Sequence, residues 1–436
     1  MKKLCRNTML ILGIVMLNCS FLNSSEYTKE ASYPFIGADM QWVDSVFNTM
    51  TLDEKIGQLF MVAAYSDPKQ DNEEAVKKLI TESHIGGVIF FKGSPIRQAQ
   101  MTNTFQSLAK IPLSVAIDGE WGLAMRLDST IAFPRQLQLG AIDKKNEYLI
   151  EEMGREVGRE CERIGIHINF APVVDINNNP QNPVINTRSF GEEKENVARK
   201  SLLYMKGMQS HYILTTAKHF PGHGNTASDS HYTLPLIKGT KDEIDKFELY
   251  PFKQLIKNDL TGVMIAHLNV PSMEKTKNLP STLSRKIVTE KLRDEMNFQG
   301  LIFTDALNMK AVVNAFPAGE VEVRALMAGN DVLEFTLDVP KAISAIKQAI
   351  VDGRITEAEV DEHCRRVLIA KSWMKVPERN HVEIANLYKD LNTPEARNLN
   401  RKLIQSSITV VKDSQSQLPF KKLDTKKFAV VSLKNG

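Results

Sequence analysis

The sequence predicts an α/β fold, a TIM-like (β/α)8 barrel. Between residues 56 and 340, short apolar runs typical of strands alternate about eight times with longer amphipathic segments typical of helices. Regular alternation of this kind requires a parallel sheet, and about eight repeats in one domain favour a closed barrel over an open sheet. The open sheet also lacks its usual motif, because no G-x-G-x-x-G follows the first predicted strand.

The predicted strands are short and apolar, and several end in a polar or charged residue. They cover residues 59–64, 87–91, 113–118, 168–175, 214–219, 262–269, 301–305 and 331–335. The helices between them have apolar residues at three- and four-residue spacing and cover residues 73–83, 147–164, 193–210, 241–257, 284–296 and 340–351. A further helix over 356–374 begins at Thr356, which is a suitable N-cap residue.

The barrel is predicted to cover residues 32–385, and residues 386–436 to form a linker and the start of a second, incomplete α/β domain. This last segment carries a helical pattern over 397–411 and an apolar strand candidate over 428–433. One strand without a partner cannot satisfy its backbone groups, which indicates that the remainder of such a domain is absent. The alternative is a C-terminal tail that packs on the barrel.

Residues 1–24 are predicted to be a secretory leader. Three basic residues precede the apolar run 9–17, which is too short to span a bilayer as a helix. Cys19 ends this run, where a lipoprotein signal places its lipidated cysteine, although Asn18 replaces the usual small residue. The protein is therefore expected to be exported to the periplasm or to the outer membrane or cell surface. A buried N-terminal helix is the alternative.

The overall composition is that of an ordinary globular protein. Lys and Arg total 55 against 52 Asp and Glu, giving a net charge of +3, and no basic stripe interleaved with aromatic residues is present. Nucleic acid is thus excluded as an expected partner. Outside the leader the two cysteines, Cys161 and Cys364, are far apart and are expected to be buried free thiols, with one disulfide as the alternative.

Reactive side chains follow several of the predicted strands. Barrel enzymes carry their working residues at the carboxyl ends of strands. The third strand ends in Asp118-Gly119-Glu120, the fifth in Lys218-His219 and the seventh in Thr304-Asp305, while Asn186 to Gly191 lie between the fourth and fifth strands. These four segments are therefore the candidate site.

The loop after the fifth strand, KHFPGHGNTASDSHYTLP, carries His219, His223, Asp229 and His231. Its glycines and proline are incompatible with a regular helix. Asp229 and His231 are close enough in sequence for the carboxylate to fix the imidazole tautomer and raise the pKa of the histidine. This pattern indicates an acid/base catalyst, with a metal site or a structural hydrogen-bond cluster as alternatives.

Asp305 has two interpretations: it caps the next helix, or it is a carboxylate nucleophile. A retaining glycosidase needs such a nucleophile together with a proton donor on the opposite face of the sugar, and here the donor candidate is His231. Donors and acceptors toward sugar hydroxyls and an acetamido group would then come from the remaining strand-end residues, namely Asp118, Arg126, Arg188, Lys218 and His219. Structural ion pairs are the alternative for each of these five residues.

With these motifs, residues 52–374 resemble the family 3 glycoside hydrolases, and KHFPGHG followed by DSH resembles the bacterial β-N-acetylglucosaminidase branch. The resemblance implies Asp305 as the nucleophile, His231 as the acid/base and Asp229 as its partner. It also implies a barrel without a metal or organic cofactor, and it carries sugar-binding roles over to Asp118, Arg126, Arg188, Lys218 and His219.

The activity implied is removal of a terminal N-acetylglucosamine, GlcNAc, from peptidoglycan fragments or other β-GlcNAc oligosaccharides, with retention. Members of this branch have D-x-E-G-G-R after the third strand, whereas this sequence has Trp121 and Leu123 in place of a glycine and the arginine. The pocket near the outer edge of the sugar or its neighbouring site is therefore expected to be reshaped. The alternatives are a β-glucosidase or xylosidase of the same family, a GlcNAc phosphorylase, and a non-catalytic sugar-binding lipoprotein.

Overall fold

The protein folds as the predicted (β/α)8 barrel. The structure, a computed structural model, describes residues 34–229, 233–414, 418–421, 423–425, 427 and 429. Within them, eight parallel strands form one sheet in the order β7-β6-β5-β4-β3-β2-β1-β8. The strands are β1 (Phe60–Ser66), β2 (Gly87–Gly93), β3 (Ser114–Ile117), β4 (Ile168–Asn169), β5 (Leu214–Phe220), β6 (Gly262–Ile265), β7 (Leu301–Thr304) and β8 (Leu333–Glu334).

The sheet closes between its first and last strands. β1 pairs with β2 on one side and with β8 on the other, where Phe60 lies opposite Leu333 and Met61 opposite Glu334. A single bridge between Phe303 and Val332 joins β7 to the chain entering β8. Because every strand then has two neighbours, the carboxyl ends of all eight meet around one opening.

Helices surround the barrel, some packing directly on the strands and others on neighbouring helices. The α-helices are α1 (Met40–Phe47), α2 (Leu52–Gly57), α3 (Glu73–Ser83), α4 (Pro95–Leu108), α5 (Gln136–Gly140), α6 (Tyr148–Arg163), α7 (Lys194–Gln209), α8 (Lys241–Lys246), α9 (Tyr250–Ile256), α10 (Lys310–Val313), α11 (Glu320–Ala328), α12 (Val339–Val351), α13 (Glu357–Trp373), α14 (Leu387–Asp390) and α15 (Pro394–Ser407). A π-helix covers Lys286–Glu295. Thr356 caps α13 through a capping box, as predicted.

The sequence prediction differs from the structure mainly in the extent of elements. The predicted strand 168–175 pairs regularly only over β4, and Pro172, which has no N–H to donate, interrupts it. The predicted helix 241–257 is two helices, α8 and α9, with Pro251 in the first turn of the second. Both cysteines outside the leader are buried free thiols, as expected.

The C-terminal segment begins with two helices that lie against the barrel. α15 packs on α6, and the Gln138 amide donates to the Ser407 hydroxyl at 2.9 Å. Of the strand candidate 428–433, all but Ala429 lies outside the described residues, and the leader lies wholly outside them. The division of the chain at residue 386 stays a prediction. In the described part of the chain, no helix combines the length and apolarity needed to cross a membrane.

Candidate active site

A cavity of about 460 Å³ opens at the carboxyl ends of the strands, where the sequence places its candidate residues. It is lined by side chains from β2, β5, β6 and β8 and from the segments that follow β3, β4, β5, β7 and β8. Six of the predicted site residues line it: Asp118, Arg126, Arg188, Lys218, His219 and Asp305. The fold therefore brings distant segments of the sequence together at the strand ends, as the rule for barrel enzymes predicts.

Asp118 lies between two cations. Its Oδ2 accepts from Arg126 Nη2 at 2.6 Å and its Oδ1 from Lys218 Nζ at 2.8 Å. Burial alone would raise the pKa of Asp118, but the charges of Lys218 and Arg126 outweigh it and hold that pKa well below its usual range. The Arg126 guanidinium also stacks 4.3 Å from the centre of the Phe91 ring. Asp118 is thus a fixed, ionised acceptor in the cavity wall.

Glu120 is fully buried and holds Arg188 in a two-point contact. Arg188 Nε donates to Oε2 at 2.9 Å and Nη2 donates to Oε1 at 2.7 Å, while Lys218 Nζ lies 3.0 Å from Oε1. Burial raises the pKa of Glu120, but Arg188 and Lys218 lower it to about 2 overall. Such fork-shaped pairing fixes the guanidinium plane. Lys218 therefore bridges the Asp118 and Glu120 carboxylates.

The Asp175 carboxylate, which lies in the segment that follows β4, orients His219. Its Nδ1 lies 2.7 Å from Asp175 Oδ2, and its Nε2 lies 3.3 Å from Arg188 Nη2. Since a guanidinium can only donate, His219 Nε2 is the acceptor and Nδ1–H the donor to Asp175. Asp175 also accepts from the backbone N–H groups of His219 and His223. One buried carboxylate thus fixes the start of the loop.

His223, the next histidine of the loop, is buried and lines the cavity. Its Nδ1 lies 2.6 Å from Thr226 Oγ1, and burial with the nearby His219 lowers its pKa. The following Gly224 packs so closely that a β-carbon there would lie 1.7 Å from the Ile176 carbonyl oxygen. The glycine is required by this close approach, which holds the loop against the segment after β4.

The predicted acid/base pair is only half described. His231 and its two neighbours lie outside the described residues. Asp229 is described and half-buried, and its carbonyl oxygen accepts from the Thr233 backbone N–H at 3.1 Å. The roles of Asp229 and His231 therefore stay predictions.

Asp305 follows β7 and faces the cavity. Its backbone N–H donates to the Ile265 carbonyl oxygen at 2.9 Å, and its Oδ1 accepts from the Ala306 N–H at 2.8 Å. Helix α10 begins only at Lys310 and has no side-chain cap, so the helix-capping interpretation of Asp305 is wrong. Within the described part of the chain, no Lys, Arg or His nitrogen lies within 4 Å of its carboxylate.

The electrostatic environment keeps Asp305 ionised. Burial would raise its pKa, but His267, His219 and the Ala306 N–H together lower it. His267 is fully buried, and its Nε2 lies 3.0 Å from the Ala306 carbonyl oxygen, to which only an N–H can donate. His267 therefore fixes the Ala306 carbonyl, one residue after Asp305. An ionised carboxylate without an ion-pair partner is chemically able to attack an electrophilic carbon.

Three buried carboxyl groups of this region are not among the predicted site residues: Glu120, Asp175 and Glu334. Each lies within or next to a predicted strand end, so the same rule could have identified them. Glu334 and Glu120 line the cavity directly, and Asp175 acts through His219. The cations that pair with Glu120 and the imidazole that pairs with Asp175 come from other segments of the chain, so the local sequence did not reveal these pairings.

Two further observations concern ligands and the rim. Among the described residues, no group of three or more His, Cys, Asp and Glu side chains is placed to hold a metal ion. Trp121 does not line the cavity; the Arg135 guanidinium stacks 4.6 Å from its ring centre, and Arg135 Nη1 donates to Thr187 Oγ1 at 3.1 Å. The departure from the family pattern at Trp121 thus lies outside the lining of the cavity.

Comparison with known proteins identifies similar chains. Residues 51–370 match the model of the glycosyl hydrolase family 3 N terminal domain. Beta-hexosaminidase A of Pseudoalteromonas piscicida is 31% identical over 369 residues, which are 78% of this chain and 61% of that protein. The chain thus spans less than two thirds of that relative's length.

Solved structures show the same similarity. A glycoside hydrolase family 3 β-N-acetylglucosaminidase from Paenibacillus sp. str. FPU-7 superposes with a TM-score of 0.74 at 34% identity, covering 83% of this chain and 69% of that one. The β-glucoside phosphorylase BglX superposes with a TM-score of 0.83 at 26% identity, covering 90% and 72%.

Proposed function

The chain belongs to glycosyl hydrolase family 3, and on this basis we propose that it is a retaining exo-β-N-acetylglucosaminidase. The observation that carries the proposal is Asp305, an ionised carboxylate at the end of β7 that faces the cavity without an ion-pair partner among the described residues. Retaining glycosidases need a carboxylate of this kind for attack on the anomeric carbon.

The proposed reaction has two steps. In the first, Asp305 attacks the anomeric carbon, the bond from that carbon to the leaving oxygen breaks, and His231 gives its proton to that oxygen. In the second, His231 takes a proton from water, the water oxygen attacks the same carbon, and the Asp305 ester bond breaks. Two inversions give net retention. Asp229 would orient His231 and stabilise its charged form.

The paired side chains of the cavity would bind the sugar before and during this attack. Asp118 offers acceptor capacity to hydroxyl groups, and Lys218, Arg126 and Arg188 have donors beyond those used in their ion pairs. His219 is fixed by Asp175 in one orientation. Because these groups are held by one another, the sugar would meet a preorganised set of partners, which lowers the ordering cost of binding.

The proposed substrates are GlcNAc-terminated fragments of peptidoglycan or related β-GlcNAc oligosaccharides. The names of the Pseudoalteromonas and Paenibacillus relatives, a hexosaminidase and an N-acetylglucosaminidase, support the GlcNAc unit. These names specify the sugar and not the leaving group. The cavity of about 460 Å³ is large enough for a monosaccharide unit, as an exo-acting enzyme requires.

The test is hydrolysis of 4-nitrophenyl β-N-acetylglucosaminide, with the β-glucoside as the comparison substrate. The wild type should cleave the GlcNAc compound faster than the glucoside, and Asp305→Asn and His231→Ala should each lose most of this activity. Asp294→Asn, the same change at an exposed site on the π-helix, is the matched control and should keep wild-type activity. Cleavage of the glucoside alone would overturn the choice of sugar.

A second candidate function is a phosphorylase, which uses phosphate in place of water. The similarity to the β-glucoside phosphorylase BglX favours it, and a histidine acid/base would not repel an incoming phosphate as a carboxylate would. Added inorganic phosphate would then raise turnover and yield the sugar 1-phosphate as product. Unchanged turnover and free GlcNAc as the product would assign water as the acceptor.

We also propose that residues 1–24 direct export, with lipid attachment at Cys19, and that residues 386–436 begin a second domain. The basic start and short apolar run of the leader support export. A fusion of residues 1–30 to a periplasmic reporter should be active outside the cytoplasm, and Cys19→Ala should abolish labelling by a radioactive fatty acid. A reporter retained inside the cell would contradict export.

A further inference from the structure

Glu334 is a buried carboxyl group at the bottom of the cavity for which the reaction above gives no role. It is the last residue of β8, is 2% exposed and lines the cavity with Asp118 and Asp305. Side chains alternate along a strand, so the neighbouring Leu333 faces the opposite side. Glu334 therefore points into the barrel, where its side chain lines the cavity.

The backbone of Glu334 is tied to the segment that carries Asp305. The Glu334 N–H donates to Thr304 Oγ1 at 2.9 Å, and the Leu307 N–H donates to the Glu334 carbonyl at 2.9 Å. Thr304 and Leu307 lie on either side of the Asp305-Ala306 peptide. The backbone segments that carry the two carboxyl groups are thus joined by these two hydrogen bonds.

The chain turns sharply directly after Glu334. Phe335 has φ of +53°, a left-handed conformation that is unfavourable for a bulky residue without a special reason. This turn places the Phe335 ring edge-on to Phe91, with ring centres 5.2 Å apart, and both rings line the cavity. The strained residue therefore belongs to the same wall as Glu334.

One oxygen of Glu334 is left without a hydrogen bond. Oε1 is buried, and none of the described residues donates to it or accepts from it. By contrast, the Asp118 and Glu120 carboxylates of the same cavity are paired with cations. A buried polar atom without a partner is rare in folded proteins and calls for an explanation. Because this oxygen belongs to a side chain that lines a cavity, a ligand in that cavity is a suitable partner.

We propose that the Glu334 carboxyl contacts the sugar bound in the cavity and does so through hydrogen bonds, as a donor and an acceptor, instead of as a charge. The inference rests on the proposed function, because it assumes that a sugar occupies this cavity. The substituents it fits are hydroxyl groups or the N–H of an acetamido group, each of which can complement a carboxylic acid.

The charges around Glu334 agree with a neutral carboxyl. Burial raises its pKa well above the usual value, and Asp118 from the end of β3 and Asp305 from the end of β7 raise it further, while Lys218 from β5 opposes them. A protonated Glu334 can donate its O–H and does not add a second negative charge beside Asp305. A sugar, which is neutral, is a suitable partner for such a group.

The experiment compares Glu334→Leu and Glu334→Gln with the wild type on 4-nitrophenyl β-N-acetylglucosaminide. Glu334→Leu should lower kcat/KM about 10-fold or more, mainly through a higher KM, because the sugar loses a hydrogen-bond partner. Glu334→Gln keeps a donor and an acceptor and should stay within about threefold of the wild type. With rising pH, the wild type should lose kcat/KM relative to Glu334→Gln, which cannot ionise.

The matched control is Glu160 in α6, which is also buried. Neither of its carboxyl oxygens has a hydrogen-bond partner among the described residues, and it does not line the cavity. Glu160→Leu should keep the wild-type KM. Wild-type kcat/KM in Glu334→Leu would overturn the inference while leaving the proposed function intact.

If the wild type cleaves no glycoside, GlcNAc binding measured by calorimetry replaces turnover. Weaker binding by Glu334→Leu than by the wild type would then support the contact, whereas equal binding, or no binding to the wild type, would overturn it.

Discussion

The two sides of the cavity treat their carboxyl groups in opposite ways. The paired side is the side formed by the ends of β3 and β5. There Asp118 pairs with Arg126, Glu120 pairs with Arg188, and Lys218 contacts both carboxylates. On the side formed by β7 and β8, the unpaired side, Asp305 and Glu334 have no cation within 4 Å among the described residues. The pairing leaves the first set as fixed binding groups and the second set free to react or to exchange a proton.

The difference teaches how one cavity combines binding with chemistry. Buried charges are costly unless they are paired, so the paired side gains rigidity from a network that also stabilises the ionised state. The unpaired side keeps the negative charge of Asp305 without a cation within 4 Å among the described residues, which is unfavourable for stability but necessary for a nucleophile. The predictions below disturb one side at a time.

The largest effect is expected on the unpaired side, from Asp305→Asn. Removal of the nucleophile should lower kcat for the GlcNAc glycoside by about 10³-fold or more, with a small change in the melting temperature, since it breaks no ion pair among the described residues. Steady-state kinetics and thermal unfolding measure the two quantities. An activated fluorosugar should label the wild type at Asp305, as seen by mass spectrometry, and should not label the variant. Label on another residue would contradict the assignment.

The next largest effect is expected on the paired side, from Lys218→Met. It leaves the Asp118 and Glu120 carboxylates with one fewer cation in a buried site and should lower the free energy of unfolding by about 3–5 kcal/mol at pH 7. Urea unfolding measures the loss, and Lys257→Met, at an exposed position, should change it by about 0.5 kcal/mol or less. Equal stability of the two variants would show that the ion network does not stabilise the fold.

A smaller effect is expected from Asp175→Asn, which acts on the paired side through His219. The amide can replace only part of the contacts that the carboxylate makes with His219 and the His223 N–H. We expect a loss of about 1–3 kcal/mol in stability and about 10-fold in kcat/KM, mainly as a higher KM. Glutamate at this position should not restore activity, because its longer side chain displaces the imidazole. Unchanged KM would contradict a role in sugar binding.

The sequence predicted the barrel well because the alternation of apolar runs is a local signal that each strand and helix carries by itself. It also predicted which strand ends carry the site, since Asp118, Lys218 and Asp305 each directly follow an apolar run. The ends of β4 and β8 were less well predicted, because pairing there depends on neighbouring strands and on Pro172.

The pairing within the site was not predictable from sequence. Glu120 and Arg188 are 68 positions apart, and Lys218 and Asp118 are 100 positions apart, so only the closed barrel brings them together. Glu334 lies in a predicted strand, where a glutamate is expected to face the solvent. The fold instead leaves it 2% exposed. Burial and partner choice are tertiary properties, which single-sequence patterns do not contain.

The smallest effect separates the two sides by pH, through Glu334→Gln. Burial with Asp118 and Asp305 nearby raises the folded-state pKa of Glu334 above its unfolded value. Such a group contributes stability that is fully present below the unfolded pKa and is lost as pH rises through the folded pKa. The wild type should therefore be close to Glu334→Gln in melting temperature near pH 4.5, and less stable than it by about 1 kcal/mol at pH 8.

Thermal unfolding across this pH range measures the difference, with Glu290→Gln at an exposed position as the control. The paired side has the opposite sign: Glu120, with a folded pKa of about 2, contributes stability that is present above its unfolded pKa and lost as pH falls. The stability that Glu334→Gln gains over the wild type should thus increase with pH. The stability that Glu120→Gln loses should increase as pH rises through the acid range and then stay constant. A pH-independent difference for Glu334→Gln would mean that Glu334 is ionised in the folded protein, and the contrast between the two sides would then rest on Asp305 alone.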